Sequence, residues 1–466
     1  MNNQQSVITL ISELREVLGP EGVLTGDAVS GRLAGIWRKD TIAAPVIFRP
    51  ANTSEVAAVL RACHAVKQPV VIHGGLTGLA EGAIASASDV VLSTERLKRI
   101  ESVSVTDRSM CVQAGVTLQA AQDAAGTEGL MLGLDLGARG SCTIGGNVAT
   151  NAGGHQVIRY GMTRDVVLGV EVVLADGTVV SSLNEMLKNN AGYDLKQLFI
   201  GSEGTLGVIT RVVLRLRPVW RSQETALVAC EDFSQVVELL RLLDAQLGGT
   251  LSAFELFWQN YYELVAAGNP PLDFGYPFYV LVEALGGSPI SDHERFLDAM
   301  ATASATGLVA DAVLCKSGDE RQSLWALRDS VEKTLQFGRA FIFDVSLRLS
   351  QMDGYVEEVL ERLDREFPSQ QTWVFGHAGD GNLHFVVAPG EAHGSDAVQL
   401  RERVERAIYE PLQVLGGSIS GEHGIGLEKK RWLAISRNPE ELELMRRLKI
   451  MLDPHRILNP GRIFDV

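Results

Sequence analysis

A glycine-rich stretch between Gly133 and Gly154 constrains the fold more than any other part of the chain. It reads GLDLGARGSCTIGGNVATNAGG, and small residues make up most of what is not glycine. Glycine lets the backbone approach a ligand closely, and such a run cannot pack a core of its own. The alternative is a flexible linker, but linkers are polar, whereas this run contains Leu134, Leu136 and Ile144. We therefore interpret the stretch as a backbone surface that cradles a ligand.

The length, charge and cysteine pattern limit the class of protein. A chain of 466 residues is too long for one core and predicts two or three domains. The net charge of -15 argues against a nucleic-acid partner, and five scattered cysteines without a C-x-x-C pair argue against a disulfide framework. No apolar run is long enough to span a bilayer, and MNNQQSVITLISELREVL is typical of an amphipathic helix rather than a signal peptide. We therefore expect a cytoplasmic protein.

Short strands alternate with few helices between about residue 40 and residue 218. PVIFR predicts a strand, and TSEVAAVLRACHAVK predicts a helix capped by Thr53 or Ser54. Residues 70–72 predict a buried strand that leads into a glycine turn, GGLTG, whose backbone N–H groups would suit phosphate oxygens, although a plain β-turn fits equally well. DVVLGVEVVLADGTVV predicts a hairpin. We interpret this half as an α+β domain of two small sheets.

The remainder of the chain predicts a second domain and a C-terminal segment. Between about 219 and 410, strands and helices alternate without βαβ glycine motifs, as in TWVFGHAGDGNLHFVVA, which predicts a hairpin. This pattern favours an antiparallel sheet with helices on one face. The last segment is rich in helix and ends in a non-helical tail, DPHRILNPGRIF. We therefore divide the chain into residues 1–218, 219–410 and 411–466.

Two glycine-framed loops in the second half carry the residues with the most chemistry. His377 and His384 flank the turn in FGHAGDGNLH, and Glu422 and His423 are adjacent in SGEHGIG. Two histidines and a carboxylate suit Zn²⁺ or Mn²⁺, which would leave the other histidine as a base. Arg328 lies on a predicted helix and suits a substrate carboxylate. The alternatives are surface histidines on hairpin turns and an arginine on a solvated helix face.

Five motifs together resemble the FAD-dependent D-2-hydroxyacid dehydrogenases, which are flavoproteins of the vanillyl-alcohol-oxidase (PCMH) type. The motifs are GLDLGARGSCTIGGNVATNAGG, FIGSEGTLGVIT, FGHAGDGNLH, SGEHGIG and LNPGRIF, in the family order. The family includes D-2-hydroxyglutarate dehydrogenase, D-lactate dehydrogenases and the glycolate oxidase catalytic subunit. The resemblance implies an α+β fold in which a two-subdomain FAD-binding domain, about 40–218, is followed by an antiparallel cap domain over the reactive face of the flavin. It also implies that the C-terminal segment returns to the FAD-binding domain with Glu422 and His423.

The resemblance also assigns roles to individual residues. His377, His384 and Glu422 match ligands of Zn²⁺ or a similar ion such as Mn²⁺, His423 matches the catalytic base, and Arg328 is expected to hold the substrate carboxylate. FAD is expected to be non-covalent, because Leu76 stands where relatives with covalent flavin carry a histidine. The residues expected to bind FAD are His73, Gly74, Gly75, Leu76, Thr77, Gly78, Leu134, Asp135, Gly140, Ser141, Ile144, Gly145, Gly146, Asn151, Gly153, Gly154, Glu203, Gly204, Ile209 and Asn459.

The expected reaction is oxidation of a D-2-hydroxy acid to the 2-keto acid, with hydride transfer to flavin N5. The resemblance places Glu332, Ile342 and Val386 where 2-hydroxyglutarate dehydrogenases hold the distal carboxylate of their substrate, although Arg339 could serve instead. A glutamate would repel a second carboxylate, and two aliphatic residues offer it nothing. These residues favour D-lactate or another D-2-hydroxy acid with an apolar tail, with D-2-hydroxyglutarate as the alternative.

Other classes of protein and several partners stay open at this stage. A zinc hydrolase would use the same histidines, and a non-enzymatic flavin-binding protein would use the same glycines. The chain has no iron–sulfur cysteine motif, so electrons are expected to leave through an external acceptor. That acceptor could be a quinone, a cytochrome, an electron-transfer flavoprotein or O₂, and a homodimer is compatible with the sequence.

Overall fold

A computed structural model describes residues 3–36, 38–390 and 396–466 of the chain. The chain forms two compact units. The first unit combines the chain up to Gly153 with Met162–Val219 and Glu422–Val466. The second unit consists of Gly154–Gly161 and Trp220–Gly421. Residues 411–421, which the sequence division assigned to the C-terminal segment, therefore lie in the second unit.

The first unit contains two sheets, and the smaller one leads into the glycine turn. Its strands follow the order β1-β2-β4-β3, where β2, β4 and β3 are parallel and β1 is antiparallel to β2. The helix Thr53–Ala65 connects β2 to β3, which lie on either side of β4, and residues 74–89 connect β3 to its parallel neighbour β4. The strands of this sheet are β1 (Val23–Thr25), β2 (Val46–Phe48), β3 (Val70–His73) and β4 (Val90–Ser93).

The larger sheet of the first unit is antiparallel and has the order β5-β6-β10-β8-β9, with β7 paired to β10. Its presence together with the smaller sheet confirms the prediction of two small sheets. Its strands β8 and β9 form the predicted hairpin DVVLGVEVVLADGTVV, whereas β5 and β7 were not predicted. The strands are β5 (Ile100–Ser104), β6 (Ser109–Gln113), β7 (Leu130–Leu132), β8 (Val167–Val173), β9 (Val179–Ser182) and β10 (Val208–Pro218).

The second unit contains one sheet of seven antiparallel strands in the order β14-β11-β13-β12-β16-β17-β15. This sheet confirms the predicted antiparallel domain and the predicted hairpin around His377 and His384. The strands are β11 (Ser222–Cys230), β12 (Leu251–Trp258), β13 (Phe278–Gly286), β14 (Asp311–Leu314), β15 (Phe341–Ser346), β16 (Gln371–His377) and β17 (Asn382–Ala388).

Helices connect these strands. Short 3₁₀ segments occur at Pro20–Gly22, Val331–Phe337, Leu349–Gln351 and Lys430–Trp432. The α-helices of the described chain are α1 (Asn3–Leu18), α2 (Asp27–Ser30), α3 (Thr53–Ala65), α4 (Leu118–Thr127), α5 (Ile144–Thr150), α6 (Val157–Tyr160), α7 (Thr163–Val166), α8 (Lys196–Phe199), α9 (Phe233–Gln246), α10 (Gln259–Val265), α11 (Pro289–Ala305), α12 (Gly318–Asp329), α13 (Met352–Glu366), α14 (Ala397–Leu415), α15 (Leu433–Ser436) and α16 (Pro439–Leu452).

Two local predictions need correction. The N-cap of α3 is Asn52, whose side chain accepts a hydrogen bond from Glu55 N at 2.9 Å; Thr53 already belongs to the helix. Asparagine caps helices as well as threonine does, so composition alone could not choose between neighbours. The segment DSVEKTLQF, whose pattern predicts a continued helix, instead contains the 3₁₀ turn Val331–Phe337. Among the described residues, no helix combines the length and apolarity that a membrane crossing requires.

Candidate functional site

A cavity in the first unit lies at the glycine turn that follows β3. The cavity brings together segments that are distant in the chain. Of the residues that the resemblance assigns to FAD, those that line it are Gly74, Gly75, Leu76, Thr77, Gly78, Gly145, Gly146, Glu203, Gly204, Ile209 and Asn459. The remaining lining residues are Ile72, Ala80, Gly82, Ala83, Thr94, Thr143, Asn147, Ala149, Thr150, Gly207, Val208 and His423. Asn147, Ala149, Thr150, Gly207 and Val208 lie within the segments 145–154 and 201–209, which the resemblance implies line the cofactor, and His423 was expected there as the base. The sequence analysis did not single out the other six residues, although the small ones among them were a usable signal.

Other residues expected to bind FAD do not line this cavity, and their role stays a prediction. The side chain of His73 is buried and bonds through Nε2 to Ala83 O at 2.8 Å. Burial lowers the pKa of His73 to about 4, so its ring is neutral at pH 7. The others are Leu134, Asp135, Gly140, Ser141, Ile144, Asn151, Gly153 and Gly154.

Main chain packs tightly against main chain where the cavity wall is built. A Cβ added at Gly75 would overlap the carbonyl oxygen of Ser141, and one added at Gly145 would lie 2.5 Å from the Cβ of Ala114. Leu76 adopts φ +57°, a left-handed conformation that is uncommon for a side chain of this kind. Because the glycines at these positions have no side chain, the peptide groups of the wall can contact a ligand directly. The wall therefore fits a flat, polar cofactor such as FAD.

His423 belongs to the same cavity, and the loop that follows it is anchored by Glu203. The carboxylate of Glu203 accepts hydrogen bonds from Ile425 N at 2.7 Å and from Gly426 N at 2.8 Å. Burial raises the pKa of Glu203, and the two backbone donors oppose that rise. Glu203 itself has φ +51°. The loop carrying the candidate base is thus tied to the wall of the cavity.

Asn459 links the C-terminal tail to this arrangement. Its side-chain oxygen accepts from Ile72 N at 2.8 Å, and its Nδ2 donates to Glu203 O at 2.6 Å. The buried ammonium of Lys449 adds a second tie, since it donates to Thr205 O at 2.9 Å and to Leu458 O at 2.8 Å. These contacts give the LNPGRIF motif a structural role beside the cavity.

A polar cluster in the second unit lies on one face of the seven-stranded sheet. Glu255 on β12 is the Cα partner of His377 on β16, and His384 on β17 is the partner of Asp344 on β15. The rings of His377 and His384 have centroids 5.3 Å apart, and their ligand nitrogens lie within 4.8 Å of one another. The hairpin therefore brings the two predicted imidazoles together.

Glu255, which the sequence analysis did not single out, joins the two other predicted residues. Its Oε1 accepts from Nδ1 of His377 at 2.7 Å, and its Oε2 accepts from Nε of Arg328 at 2.7 Å. Burial opposes ionisation of Glu255, but its interactions with His377 and Arg328 outweigh the burial and lower the pKa of Glu255 to about 2. A carboxylate can only accept, so Nδ1 of His377 carries a proton.

Arg328 lies on α12 and is held in a defined position. Besides its bond to Glu255, its Nη2 donates to Nε2 of His377 at 3.2 Å, and its guanidinium lies 4.9 Å from the centroid of the Phe375 ring. The side chain of Arg328 is only 12% exposed. Arg328 is therefore not part of a solvated helix face, which was the alternative interpretation.

The chain next to Glu422 is anchored to the same sheet. Ser418 pairs through its backbone with Ser346, and the hydroxyl of Ser420 lies 3.4 Å from a carboxylate oxygen of Asp344. Gly421 packs so closely on the side chain of Asn382 that a Cβ there would overlap it. Glu422 follows by one peptide unit, about 3.8 Å from Cα to Cα.

The donors around this cluster suit a divalent ion. The imidazoles of His377 and His384 are ligands that Zn²⁺ accepts. The side-chain oxygen of Asn382, two residues before His384 on β17, is buried and has no hydrogen-bond partner among the residues that the structure describes. An orphaned buried acceptor costs free energy unless an ion or its bound water satisfies it. The residues present therefore fit a metal centre.

Two of the three expected substrate-tail residues, Ile342 and Val386, lie on the same sheet. Ile342 on β15 and Val386 on β17 are Cα partners, and both pack with Trp373 and Phe375 in an apolar cluster. Val386 is fully buried. Glu332 lies in the 3₁₀ turn Val331–Phe337 and is exposed. These positions offer hydrocarbon and a negative charge.

Two family models match the chain. Residues 44–182 match the FAD binding domain, and residues 220–463 match the C-terminal domain of FAD linked oxidases. Among solved structures, p-cresol methylhydroxylase with substrate bound superposes with a TM-score of 0.78 at 16% identity, covering 99% of this chain and 98% of that one. This likeness confirms the predicted PCMH-type fold.

Curated relatives cover almost the whole chain. D-2-hydroxyglutarate dehydrogenase of Xanthomonas citri pv. viticola is 39% identical over 92% of this chain and 90% of its own length. Mitochondrial D-2-hydroxyglutarate dehydrogenase of Bos taurus is 42% identical over 90% of this chain and 76% of its own length. With the FAD-binding and FAD-linked oxidase domains in order, the chain belongs to the FAD-dependent D-2-hydroxyacid dehydrogenase family.

Proposed function

We propose that this enzyme oxidises a D-2-hydroxy acid to the 2-keto acid with non-covalent FAD, a divalent ion such as Zn²⁺ or Mn²⁺, and His423 as base. The observation that carries the proposal is the position of His423 in the lining of the cavity built by the FAD-assigned glycines. An imidazole titrates near neutral pH and suits removal of a hydroxyl proton. Bound FAD would accept the C2 hydride, and a bound ion would lower the pKa of the C2 hydroxyl.

Two histidines, a glutamate and an arginine are the residues that we propose for binding the ion and the substrate. Nε2 of His377, a nitrogen of His384 and the carboxylate of Glu422 are the proposed ligands. An ion at Nε2 would replace the N–H of Arg328 that this nitrogen accepts, at 3.2 Å. Nη2 of Arg328 would then be available to the substrate carboxylate, for which a planar guanidinium is well suited.

Two substrate classes have specific support. The names of the curated relatives support D-2-hydroxyglutarate. The apolar pair Ile342–Val386 and the negative charge of Glu332 instead support a monocarboxylate with a short apolar tail, such as D-lactate. A second carboxylate buried against two aliphatic side chains would lose its hydration without a partner. We favour the monocarboxylate on this physical argument and keep D-2-hydroxyglutarate as the second candidate.

Anaerobic spectral titration of the FAD-loaded protein tests the reaction and the substrate together. D- and L-lactate and D- and L-2-hydroxyglutarate are added separately, and bleaching of the flavin band is recorded. Bleaching by the D-acids supports a dehydrogenase, and stable yellow supports a flavin-binding protein. A protein that stays colourless after incubation with FAD and removal of unbound cofactor points to a hydrolase. A much larger kcat/KM for D-2-hydroxyglutarate than for D-lactate would overturn the substrate ranking.

The electron acceptor is tested separately. Reoxidation of the reduced flavin is followed with a quinone, a cytochrome, an electron-transfer flavoprotein or O₂ as the oxidant, and the oxidant that restores the flavin band is the acceptor.

Replacement of His423 tests its role as the base. The His423→Ala variant should retain FAD and lose flavin reduction by about 10²- to 10⁴-fold, the usual contribution of a general base. His293→Ala is the matched control, because His293 is exposed and bonds to Glu224 at 3.0 Å, away from the cavity lining. Reduction of the His423→Ala variant at the wild-type rate would remove His423 as the base.

A further inference from the structure

Glu255 is an unusual residue for its position on the central strand β12. The strand reads LSAFELFW, and Glu255 is its single charged residue and has no exposed surface. Moving a carboxylate out of water costs several kcal/mol unless charged partners and hydrogen bonds compensate. An apolar residue would pack this position at no such cost, so the two partners of Glu255 indicate why a carboxylate stands there.

Each oxygen of Glu255 serves one functional side chain. Oε1 accepts from Nδ1 of His377 at 2.7 Å, which leaves Nε2 as the unprotonated nitrogen of that ring. Oε2 accepts from Nε of Arg328 at 2.7 Å, which fixes the plane of the guanidinium, whose Nη2 reaches Nε2 of His377 at 3.2 Å. Both contacts form within the second unit.

We propose that Glu255 is a positioning residue that orients a metal-ligating imidazole and the carboxylate-binding guanidinium at the same time. A carboxylate behind a ligating histidine sets its tautomer, orients its ring and increases its basicity. Because one buried carboxylate bonds to both side chains, it fixes the position of the ion-binding His377 relative to the substrate-binding Arg328. The inference rests on the proposed function, since it assumes that His377 binds an ion and Arg328 binds the substrate.

The neighbouring strand provides a matched control. Glu283 on β13 is also buried, and its Oε2 accepts from Nε1 of Trp325 at 2.9 Å and from Nε2 of Gln223 at 2.8 Å. It occupies the same sheet, but its side-chain hydrogen bonds come from Trp325, Gln223 and Thr225 rather than from His377 or Arg328. Glu283→Gln therefore reproduces the loss of a buried charge without touching the two functional side chains.

Two binding measurements on the full-length, FAD-loaded protein test the inference. Equilibrium dialysis against Zn²⁺ should give an affinity 10- to 100-fold weaker for Glu255→Gln than for wild type, the usual effect of removing such a partner. Competitive inhibition by propanoate, which has a carboxylate but no 2-hydroxyl group, should weaken by a similar factor. Glu283→Gln should keep both values and lose only thermal stability. Glu255→Asp, which retains the charge but withdraws it by one methylene, should fall between wild type and Glu255→Gln.

The outcomes separate the two proposals. Wild-type protein that binds no Zn²⁺ would refute the metal centre, and the inference with it. Wild type that binds Zn²⁺ and propanoate, with Glu255→Gln equal to it in either measurement, would refute the inference and leave the proposed function intact. If Glu255→Gln fails to fold, the comparison of Glu255→Asp with Glu283→Gln decides in the same way.

Discussion

The cofactor cavity of the first unit is lined mainly by backbone, whereas the polar cluster of the second unit consists of side chains. The cavity wall is mainly backbone, and its glycines pack against carbonyl groups such as that of Ser141. The polar cluster consists of long side chains, Glu255, Arg328, His377 and His384, held on strands and a helix. A backbone surface loses its ligand-binding shape when a substitution adds atoms. A side-chain cluster loses its hydrogen bonds when a substitution removes atoms. Substitutions can test this difference directly.

The largest effect is expected from an added methyl group in the cavity wall. In Gly75→Ala the new Cβ would overlap the carbonyl oxygen of Ser141, and neither backbone segment can move without distorting the turn. We expect FAD affinity to fall by about 100-fold or more, corresponding to about 3 kcal/mol. The matched control is Gly78→Ala, in the same turn and cavity lining, where a Cβ would meet nothing within 4 Å.

Fluorescence titration with FAD checks this prediction in both variants. Gly78→Ala should bind FAD with nearly the wild-type affinity. Equal losses in the two variants would show that general perturbation of the turn, rather than the overlap with Ser141, controls cofactor binding.

A smaller loss is expected when the polar cluster loses donors but keeps its charge. Lysine cannot reproduce the bond from Nε of Arg328 to Glu255 and also present a planar pair of donors. We expect kcat/KM of Arg328→Lys to fall about 30- to 100-fold, chiefly through KM, and FAD affinity to stay unchanged. Arg321→Lys on the same helix is the control, because Arg321 donates to Gln223 O at 2.9 Å. A wild-type KM for Arg328→Lys would argue against Arg328 as the carboxylate anchor.

The two regions also differed in how well the sequence predicted them. The strand before the glycine turn and the His377–His384 hairpin follow from local periodicity and turn residues, and both exist. Glu255 was missed because its partners lie 73 and 122 residues away in the chain. The register of β12 against β16 brings Glu255 to His377, and the position of α12 brings Arg328 to Glu255. Neither long-range arrangement can be read from one strand. The anchoring of Ile425 by Glu203, 222 residues apart, was missed for the same reason.

The cavity region should respond to acid through His73. Its folded-state pKa, about 4, lies below the unfolded value of about 6.5, so the unfolded chain binds the proton more readily. Stability is therefore intact above pH 6.5 and falls as the pH decreases toward 4. Between pH 7 and 5 we expect wild type to lose about 2 kcal/mol more than His73→Gln, which can still donate to Ala83 O. Urea unfolding followed by flavin fluorescence measures the difference; parallel losses would exclude His73 as the source.

The smallest effect is expected where a side chain supports the backbone wall. Glu203 is the exception to the contrast between the regions, because a buried carboxylate holds main-chain donors of Ile425 and Gly426. In Glu203→Gln one of these donors would face an amide N–H₂ group, which leaves a buried N–H unsatisfied. We expect the loop after His423 to shift and flavin reduction to slow about tenfold, or about 1.4 kcal/mol, with KM unchanged. FAD affinity should hold, since the glycine wall is untouched.

Glu171→Gln is the control for this last change. Glu171 is a buried carboxylate of the same unit that accepts from the hydroxyls of Thr53, at 2.6 Å, and Thr210, at 3.0 Å, and it does not line the cavity. Stopped-flow reduction at saturating hydroxy acid separates positioning from stability. If both variants lose thermal stability but only Glu203→Gln slows, the carboxylate acts through the base loop. If the two slow equally, the cavity depends on buried charge in general, and the contrast between a backbone wall and a side-chain cluster is weaker than the geometry indicates.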